Sequence, residues 1–296
     1  MERKAYQRGR KAAIRSMKKK AYHRQKKHQK YRAKASGYVK QQAKSHRIDL
    51  RIETAKKYFH DKKSVYTHYL LALQWPITFK LAKHSNTRPL SQIPKKTWTP
   101  HGLWPNADKK WIQSCHPRTK LHWDLMSPDF RKYLTENFPT LMNDQKHFME
   151  HEWERHGTCW NPNTVDINKI WDTKLFYIMS DIPKDLHGSD DKKKLLVLQK
   201  KYLELTVTLS KHFDIYKILK SNKILPRKTK HYQMSMIKTA IYKKLKVKRF
   251  QIICSQKKSR FLLSEIRICL DLNMKAVNCK KMKSFSCKSW KVWYPM

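Results

Sequence analysis

Residues 264–279 have the sequence SEIRICLDLNMKAVNC, and this stretch predicts a β-hairpin. Every second side chain over residues 265–272 is apolar, which is the period of a strand with one buried face. These side chains are Ile266, Ile268, Leu270 and Leu272. The segment that follows predicts a return of the chain that brings Cys279 beside Cys269. The C-terminal third of the chain is therefore expected to contribute strands to a sheet.

Working outward, the rest of the chain predicts an α+β protein. An apolar run over residues 69–75 that ends at Pro76 predicts a buried strand. Residues 164–182 predict an amphipathic helix, with apolar side chains at helical spacing: Ile167, Ile170, Trp171, Leu175, Ile178 and Met179. Residues 192–219 predict a longer helix with one apolar face: Leu195, Leu198, Tyr202, Leu205 and Leu209. Strands and helices that do not alternate regularly indicate a central antiparallel sheet flanked by helices.

The composition predicts a folded protein that attracts polyanions. Hydrophobic residues make up 40% of the chain and include 10 Trp, 14 Tyr and 10 Phe, which is enough for a core. The formal net charge is +45, from 67 Lys and Arg against 22 Asp and Glu, and it favours binding to nucleic acid or an anionic membrane surface. The alternative is a lysine-rich bias that leaves solvated charges everywhere. Because no apolar run reaches the length of a membrane span, we expect no membrane-spanning helix.

Residues 1–60 predict a disordered basic arm, and residues 61–296 predict the folded domain. The arm has many Lys and Arg, very few acids and almost no apolar periodicity, so it cannot bury enough surface to offset its ordering entropy. A polyanion-binding tail or nuclear address is one interpretation of the arm, and a wrongly assigned first exon is the other. No apolar segment of signal-peptide length follows its charged start.

The cysteines favour disulfides over a metal site. All six lie after residue 114, and an even number suggests three bridges. Zinc is the rival interpretation, but the chain has no CxxC pair, and the successive spacings of 44, 95, 15, 10 and 8 residues do not form ligand pairs. Disulfides indicate an oxidising compartment, which conflicts with the lack of a visible signal peptide.

Two short segments carry candidate chemistry, and the first is PHGLWPN at residues 100–106. Its Pro-His-Gly triplet is typical of a turn, and it places His101 just before Trp104. A histidine in such a place has a structural alternative, which is simple packing in a turn. If the indole of Trp104 is accessible, it is a stacking surface for a nucleic acid base.

The second segment is FMEHEWERHGTCW at residues 148–160, which predicts a helix that ends near Gly157. On this helix Glu152 and His156 are four residues apart and share a face, as do His151 and Arg155. The helix dipole at this end predicts a raised pKa for His156. An exposed stripe of salt bridges is the structural alternative.

The two segments together match the needs of RNA cleavage without a metal. The two histidines of the second segment are five residues apart rather than four, which differs from the zinc protease pattern, and we expect neither a metal nor a cofactor. One group must deprotonate the 2′-OH, another must protonate the 5′-oxygen, and cations must stabilise the phosphoryl oxygens. Imidazoles have a pKa suited to both proton transfers.

These segments resemble the active-site segments of the ribonuclease T2 family, which includes the self-incompatibility ribonucleases of plants. LALQWPITF resembles the strand before the first segment, and SEIRICLDLNMKAVNC resembles the C-terminal hairpin, so the resemblance covers roughly residues 66–287. It implies cleavage of single-stranded RNA through a 2′,3′-cyclic phosphate without a metal. It also implies an extracellular, lysosomal or other secretory-pathway compartment. We expect a monomer that does not associate with a membrane.

The resemblance assigns roles to individual residues. His101 is implied as general acid and His156 as general base, with His151, Glu152 and Arg155 on the phosphate. The implied substrate-binding residues are Gln74, Trp104 and Asn106. The implied disulfides are Cys115–Cys159, Cys254–Cys287 and Cys269–Cys279.

Three positions depart from the family pattern. Arg155 stands where lysine is usual, Pro100 replaces an aliphatic residue and removes a backbone donor beside His101, and Asn106 stands where aspartate is common. None of the three removes a catalytic group, so we expect an active endoribonuclease. The alternatives are a catalytically impaired RNA-binding protein on the same scaffold and a basic structural protein whose motifs are coincidental.

Overall fold

The structure is a computed structural model that describes residues 66–82, 87–108, 111–161, 190–280, 287 and 289–296. Two predictions lie outside these residues, namely the disordered arm over residues 1–60 and the amphipathic helix over residues 164–182. The described chain combines helices with a single sheet, so the predicted α+β class is confirmed. The start of the folded domain at residue 61 stays a prediction.

One strand organises the sheet. The strands are β1 (His68–Gln74), β2 (Thr99–Asn106), β3 (His231–Gln233), β4 (Gln251–Lys257), β5 (Arg260–Leu270), β6 (Ala276–Val277) and β7 (Lys291–Trp293). The order is β2-β1-β5-β7-β3, and β4 and β6 also pair with β5. Leu262 of β5 pairs with both Ser255 of β4 and Trp293 of β7, so these two strands lie on opposite edges of β5.

The sheet is mixed, whereas the sequence predicted an antiparallel one. The only parallel pairing among the described strands is that of β5 with β7. β5 begins earlier than the predicted strand because it extends into a hairpin with β4, and it ends before Leu272 because Asp271 starts a turn. Its two faces are both covered: Glu265 and Cys269 are buried as well as the apolar side chains. The predicted hairpin is confirmed by the pairing of β5 with β6.

The helices of the described residues are α1 (Pro76–Ala82), α2 (Pro128–Asn137), α3 (Gln145–Arg155), α4 (Asp190–His212), α5 (Ile215–Ser221) and α6 (Met234–Leu245). The predicted helix over residues 192–219 is thus two helices. The break follows from Asp214, whose side chain accepts a hydrogen bond from the Lys217 backbone N–H and caps α5. No helix in the described part of the chain is long and apolar enough to cross a membrane.

Helix α4 supports β2 from behind. Its predicted apolar face is buried, and Tyr202 at the middle of that face is fully enclosed. The Tyr202 hydroxyl donates a hydrogen bond of 2.7 Å to the Leu103 carbonyl of β2. The Tyr202 ring also meets the Trp153 ring of α3, with 5.9 Å between centroids. One side chain therefore fixes β2 and α3, the elements that carry the two motif segments, against the same core.

The three disulfides match the pairs that the family resemblance implied. Cys115–Cys159 joins the loop after β2 to the turn after α3, and its Cα atoms are 5.0 Å apart. Cys254–Cys287 ties β4 to the C-terminal segment, and Cys269–Cys279 closes the hairpin of β5 and β6. The first bridge constrains the unfolded chain and holds the two motif segments close to each other.

Glu204 of α4 is a buried acid facing α2. It is 1% exposed, and neither of its carboxyl oxygens has a hydrogen-bond partner among the described residues. The hydroxyls of Tyr133 and Thr208 lack partners there too. Burial raises the pKa of Glu204 to about 7, so the carboxyl is protonated in mild acid.

This pKa predicts a loss of stability as the pH rises. An unfolded glutamate titrates at about pH 4.3, so between that value and about 7 the native state holds a proton that the unfolded state has lost. The free energy of unfolding therefore falls with rising pH across this window. We expect Glu204→Gln to remove part of that fall. The free energy of unfolding of the variant minus that of the wild type should rise by roughly 2 kcal/mol between pH 4 and pH 8. Urea unfolding of both proteins at the two pH values measures this difference.

The control is Glu136→Gln, which alters an exposed acid on α2 and should leave the pH dependence of unfolding unchanged. Equal pH slopes for the wild type and Glu204→Gln would contradict the assignment.

Candidate active site

A β-bulge in β2 sets the direction of His101. Ala72 of β1 pairs with Gly102 and Leu73 pairs with Pro100, so His101 lies between two paired positions without a partner on β1. A bulge re-aims the side chain of the extra residue and is common beside active sites. The Pro-His-Gly triplet therefore lies within a strand, and its interpretation as a turn was wrong.

Pro100 is tolerated because β2 is the edge strand of the sheet order. A missing N–H at an edge costs no ladder hydrogen bond when that side of the strand is unpaired. The Pro100 carbonyl accepts a hydrogen bond of 3.4 Å from Nε2 of the buried Gln74 side chain at the end of β1. Gln74 thus holds the backbone on one side of His101.

Gly102 leaves space for the side chains that surround His101. A Cβ atom at this position would lie 2.0 Å from Glu152 Oε2 and 2.3 Å from Trp104 Nε1, both of which are impossibly short. The glycine does not turn the chain, since β2 continues to Asn106. A close approach of helix α3 to the strand is what requires glycine here.

Helix α3 presents the second motif segment to this edge of the sheet. Asp144 caps its N-terminus by accepting the His147 backbone N–H, and the helix ends at Arg155, as the sequence predicted to within two residues. Glu152 is buried, whereas His151 and Arg155 are exposed. His156 is the C-cap, and its backbone N–H donates to the Glu152 carbonyl.

Trp104 lies between the two candidate catalytic imidazoles. Its ring stacks on His156 with 5.0 Å between centroids and meets His101 edge-on at 5.1 Å. Its Nε1 donates a 3.0 Å hydrogen bond to Glu152 Oε2. The side chain is 5% exposed, so it presents little ring surface to a base. The role of Trp104 therefore differs from the expected one: its ring positions the imidazoles and is not an open stacking surface for a base.

Sequence reasoning missed Glu265, which holds the other side of His101. The Nδ1 atom of His101 donates a 2.7 Å hydrogen bond to Glu265 Oε2, and Glu265 Oε1 accepts from Arg267 Nε. The Arg267 guanidinium also lies 4.9 Å above the Trp104 ring. The available signal was an acid and an arginine at alternate positions in a mostly apolar strand.

The environments of the two imidazoles shift their pKa values in opposite directions. Burial lowers the pKa of His101, but the hydrogen bond and negative charge of Glu265, with a further contribution from Glu152, outweigh it and raise that pKa above its usual value. Burial lowers the pKa of His156 to about 3, and the positive charges of His151, His101 and neighbouring arginines add to the effect. The expectation that the helix end raises the His156 pKa was wrong, because desolvation exceeds the dipole.

The local environment also shifts the pKa values of the two carboxyl groups of the site in opposite directions. Burial raises the pKa of Glu152 to about 7, despite the opposing effects of His101 and the Trp104 hydrogen bond. At Glu265, the hydrogen bond and charge of His101 and the charge of Arg267 outweigh burial and lower the pKa. Glu152 Oε1 and His156 Nδ1 are buried atoms without a hydrogen-bond partner among the described residues.

The structure brings together most of the predicted site residues. Trp104 contacts His101, Glu152 and His156. Burial and the charge of Arg155 lower the pKa of the exposed His151 on the same helix as Glu152. Asn106 is not part of this group, because it lies at the opposite end of β2, where its Oδ1 accepts from the Ala107 backbone. Arg155 donates to Gln113 Oε1 on the loop after β2. Within the described segments, no cluster of three His, Cys, Asp or Glu side chains is arranged to hold a metal.

A sequence model of the Ribonuclease T2 family matches residues 66–279, which include every element of this site. The chain belongs to the ribonuclease T2 family. It is 27% identical over 226 residues to Ribonuclease Oy of Magallana gigas, covering 73% of this chain and 88% of that protein. Ribonuclease T2 of Danio rerio is 26% identical over 226 residues, covering 75% and 77%. The protein is therefore a T2-type endoribonuclease that acts on RNA.

The fold agrees with this assignment. The crystal structure of RNase NT in complex with 5′-AMP aligns with a TM-score of 0.59 at 22% identity, covering 78% of this chain and 98% of that one. Relatives from Solanum lycopersicum include one named an intracellular and one named an extracellular ribonuclease, so membership of the family does not fix the compartment.

The close approach at Gly102 predicts that Gly102→Ala damages the site. The new Cβ must displace Glu152 or Trp104 and break their hydrogen bond inside a packed core. We expect a loss of about 1–3 kcal/mol in the free energy of unfolding, measured by urea denaturation. An Ala107→Gly variant, one residue past β2, is the control for the change in backbone freedom. Wild-type stability in Gly102→Ala would contradict the geometry.

Proposed function

We propose that this ribonuclease cleaves single-stranded RNA without a metal, with His156 as general base and His101 as general acid. The observation that carries the assignment is the opposite displacement of the two pKa values. A base must be unprotonated and an acid protonated at the same pH, and the raised pKa of His101 and the lowered pKa of His156 supply that combination in mild acid.

In the first step, neutral His156 takes the proton of the 2′-OH as the 2′-oxygen attacks phosphorus. The bond from phosphorus to the 5′-oxygen breaks, and the 5′-oxygen receives a proton from His101. Because Glu265 occupies Nδ1 of His101, the transferred proton comes from Nε2. The product is a 2′,3′-cyclic phosphate, and its hydrolysis uses the same two groups in reversed roles.

Glu152, His151 and Arg155 stabilise the phosphoryl oxygens in this proposal. With a pKa of about 7, Glu152 is protonated in mild acid, so its carboxyl group can donate a hydrogen bond. Its Oε1 atom has no hydrogen-bond partner among the described residues. The exposed Arg155 adds positive charge on the outer side of α3, and the exposed imidazole of His151 is a further hydrogen-bonding group there. Gln74 supports His101 through Pro100, and Asn106 is left to contact a more distant part of the RNA.

The remaining parts of the proposal concern context. Three disulfides support an oxidising, secretory-pathway compartment, and the acidic working range of the two imidazoles suits such a compartment. We propose that the enzyme acts as a monomer and that its basic arm contacts other polyanions. No observation favours the catalytically impaired RNA-binding protein.

The products test the reaction type. Wild-type protein in EDTA should convert a short single-stranded RNA to fragments ending in 2′,3′-cyclic phosphate. A substrate with a single 2′-deoxy sugar at the cleaved position should resist, because its nucleophile is missing. His156→Ala should lose about 10²–10⁴-fold in kcat. Mass spectrometry identifies the termini, and cleavage of the 2′-deoxy substrate would refute the mechanism.

The pH profile tests the acid. Activity should fall at high pH as His101 loses its proton and at low pH as His156 gains one, which gives a bell shape with a broad acidic plateau. Glu265→Gln removes the charge that raises the His101 pKa, so the alkaline limb of kcat/KM should move to lower pH.

The control for the pH profile is Glu154→Gln, which removes an acid on α3 that pairs with Lys120 outside the site. Its alkaline limb should match that of the wild type. An unmoved alkaline limb in Glu265→Gln would show that Glu265 does not set the His101 pKa.

A further inference from the structure

The ladder of β3 and β7 presents an outer face of aromatic and basic side chains. Tyr232 and Val292, at the centre of each strand, are buried. Their neighbours point the other way, so that His231 is exposed and Lys291 and Trp293 are partly exposed. Alternation along both strands therefore places these three side chains on one solvent-facing surface.

Each indole on this surface has a cation beside it. The Lys291 Nζ atom lies 4.0 Å from the centroid of the Trp290 ring, and the Arg260 guanidinium lies 5.2 Å from the Trp293 ring. The His231 ring also lies 5.2 Å from Trp293. We call these five residues the aromatic–basic strip. Trp290 is 65% exposed, the largest exposed fraction of any described Trp, Tyr or Phe side chain, so its ring is accessible to a ligand.

The C-terminal part of the sequence, which contains the strip, is strongly positive. Residues 215–296 contain 22 Lys and Arg but only two acids, Glu265 and Asp271. Glu265 is bound to His101 and Arg267, and Asp271 accepts backbone N–H groups in the turn after β5. Neither acid is available to neutralise the strip, so it attracts a polyanion.

The chemistry of the strip fits unpaired RNA better than other polyanions. Single-stranded nucleic acid is bound by aromatic side chains that stack on bases and by cations that follow the phosphates. A duplex hides the faces of its bases, and a sulfated polysaccharide or a lipid headgroup has none. Trp290 lies directly before β7 with its ring against Lys291, and Trp293 is the last residue of β7, so a phosphate contact at Lys291 can accompany bases that stack on the two rings.

The strip is also connected to the active site through the sheet. Strand β7 joins β5 at Leu262, three residues before Glu265, the partner of His101. This separation is about 10 Å along β5. An RNA strand that leaves the cleavage site can therefore reach the strip within a few nucleotides.

We propose that the aromatic–basic strip is a second RNA-binding site, which holds unpaired bases of the substrate outside the cleavage site. The inference relies on the proposed cleavage of single-stranded RNA for the identity of its ligand. It concerns binding, so binding and cleavage are measured separately.

Binding is measured with the full chain carrying His156→Ala, which keeps the RNA intact. The probe is a labelled uridine homopolymer of about 15 nucleotides, long enough for both sites. Adding Trp290→Ala should weaken binding about tenfold, within the range for loss of one stacked base. Tyr242→Ala is the matched control, because this exposed ring also carries a lysine, Lys248 at 5.9 Å, but lies on α6. It should bind as tightly as the parent.

Cleavage gives an independent readout in the otherwise wild-type chain. A dinucleotide is too short to reach the strip, so Trp290→Ala should cleave it with unchanged kcat/KM. The same variant should show a higher KM for the long RNA at unchanged kcat. Absence of cleavage by the wild type would refute the proposed function. The binding measurement would then still test whether the strip binds RNA.

Two results would overturn the proposal. One is equal affinity of the Trp290→Ala and parent chains for the long RNA. The other is an equal loss of affinity for heparin, a sulfated polysaccharide without bases, because the strip would then recognise charge alone.

Discussion

The hydrogen bond from the Trp104 indole to the Glu152 carboxyl joins the edge of the sheet to helix α3, and the geometry of the active site depends on it. Both groups are buried, so water does not compete for the bond. Gly102 makes the approach possible because it has no Cβ. The indole held in this way contacts both imidazoles, and β2 and α3 are further fixed by Tyr202 and by the Cys115–Cys159 bridge.

Electrostatics then distinguishes two histidines that are chemically identical. His101 faces an ionised carboxylate from the central strand, and His156 is enclosed among aromatic rings and cations. Burial alone would lower both pKa values, so the hydrogen bond and the charge of Glu265, with a contribution from Glu152, account for the difference in sign. In the proposed mechanism, this difference in environment distinguishes the acid from the base, and it comes from the placement of one strand beside another.

Features set by local sequence were predictable, and features set by distant contacts were not. Helix α3 and the hairpin after β5 follow from spacing, and the disulfide pairs follow from the family pattern. The partnership of His101 with Glu265 spans 164 residues, and no local pattern reveals it. The bulge at His101 depends on the register with β1, and the low pKa of His156 depends on burial that only tertiary packing creates.

Site-resolved titration of the imidazoles tests the central claim most directly. In NMR spectra of the full chain labelled with nitrogen-15 in histidine, the ring nitrogens of His101 and His156 report their protonation as the pH changes, with His101→Ala and His156→Ala giving the assignments. The account predicts that His156 is neutral throughout mild acid while His101 is still protonated there and titrates above the ordinary histidine value. If His156 instead titrates at or above His101, the opposite tuning of the two groups does not exist, and the assignment of acid and base is wrong.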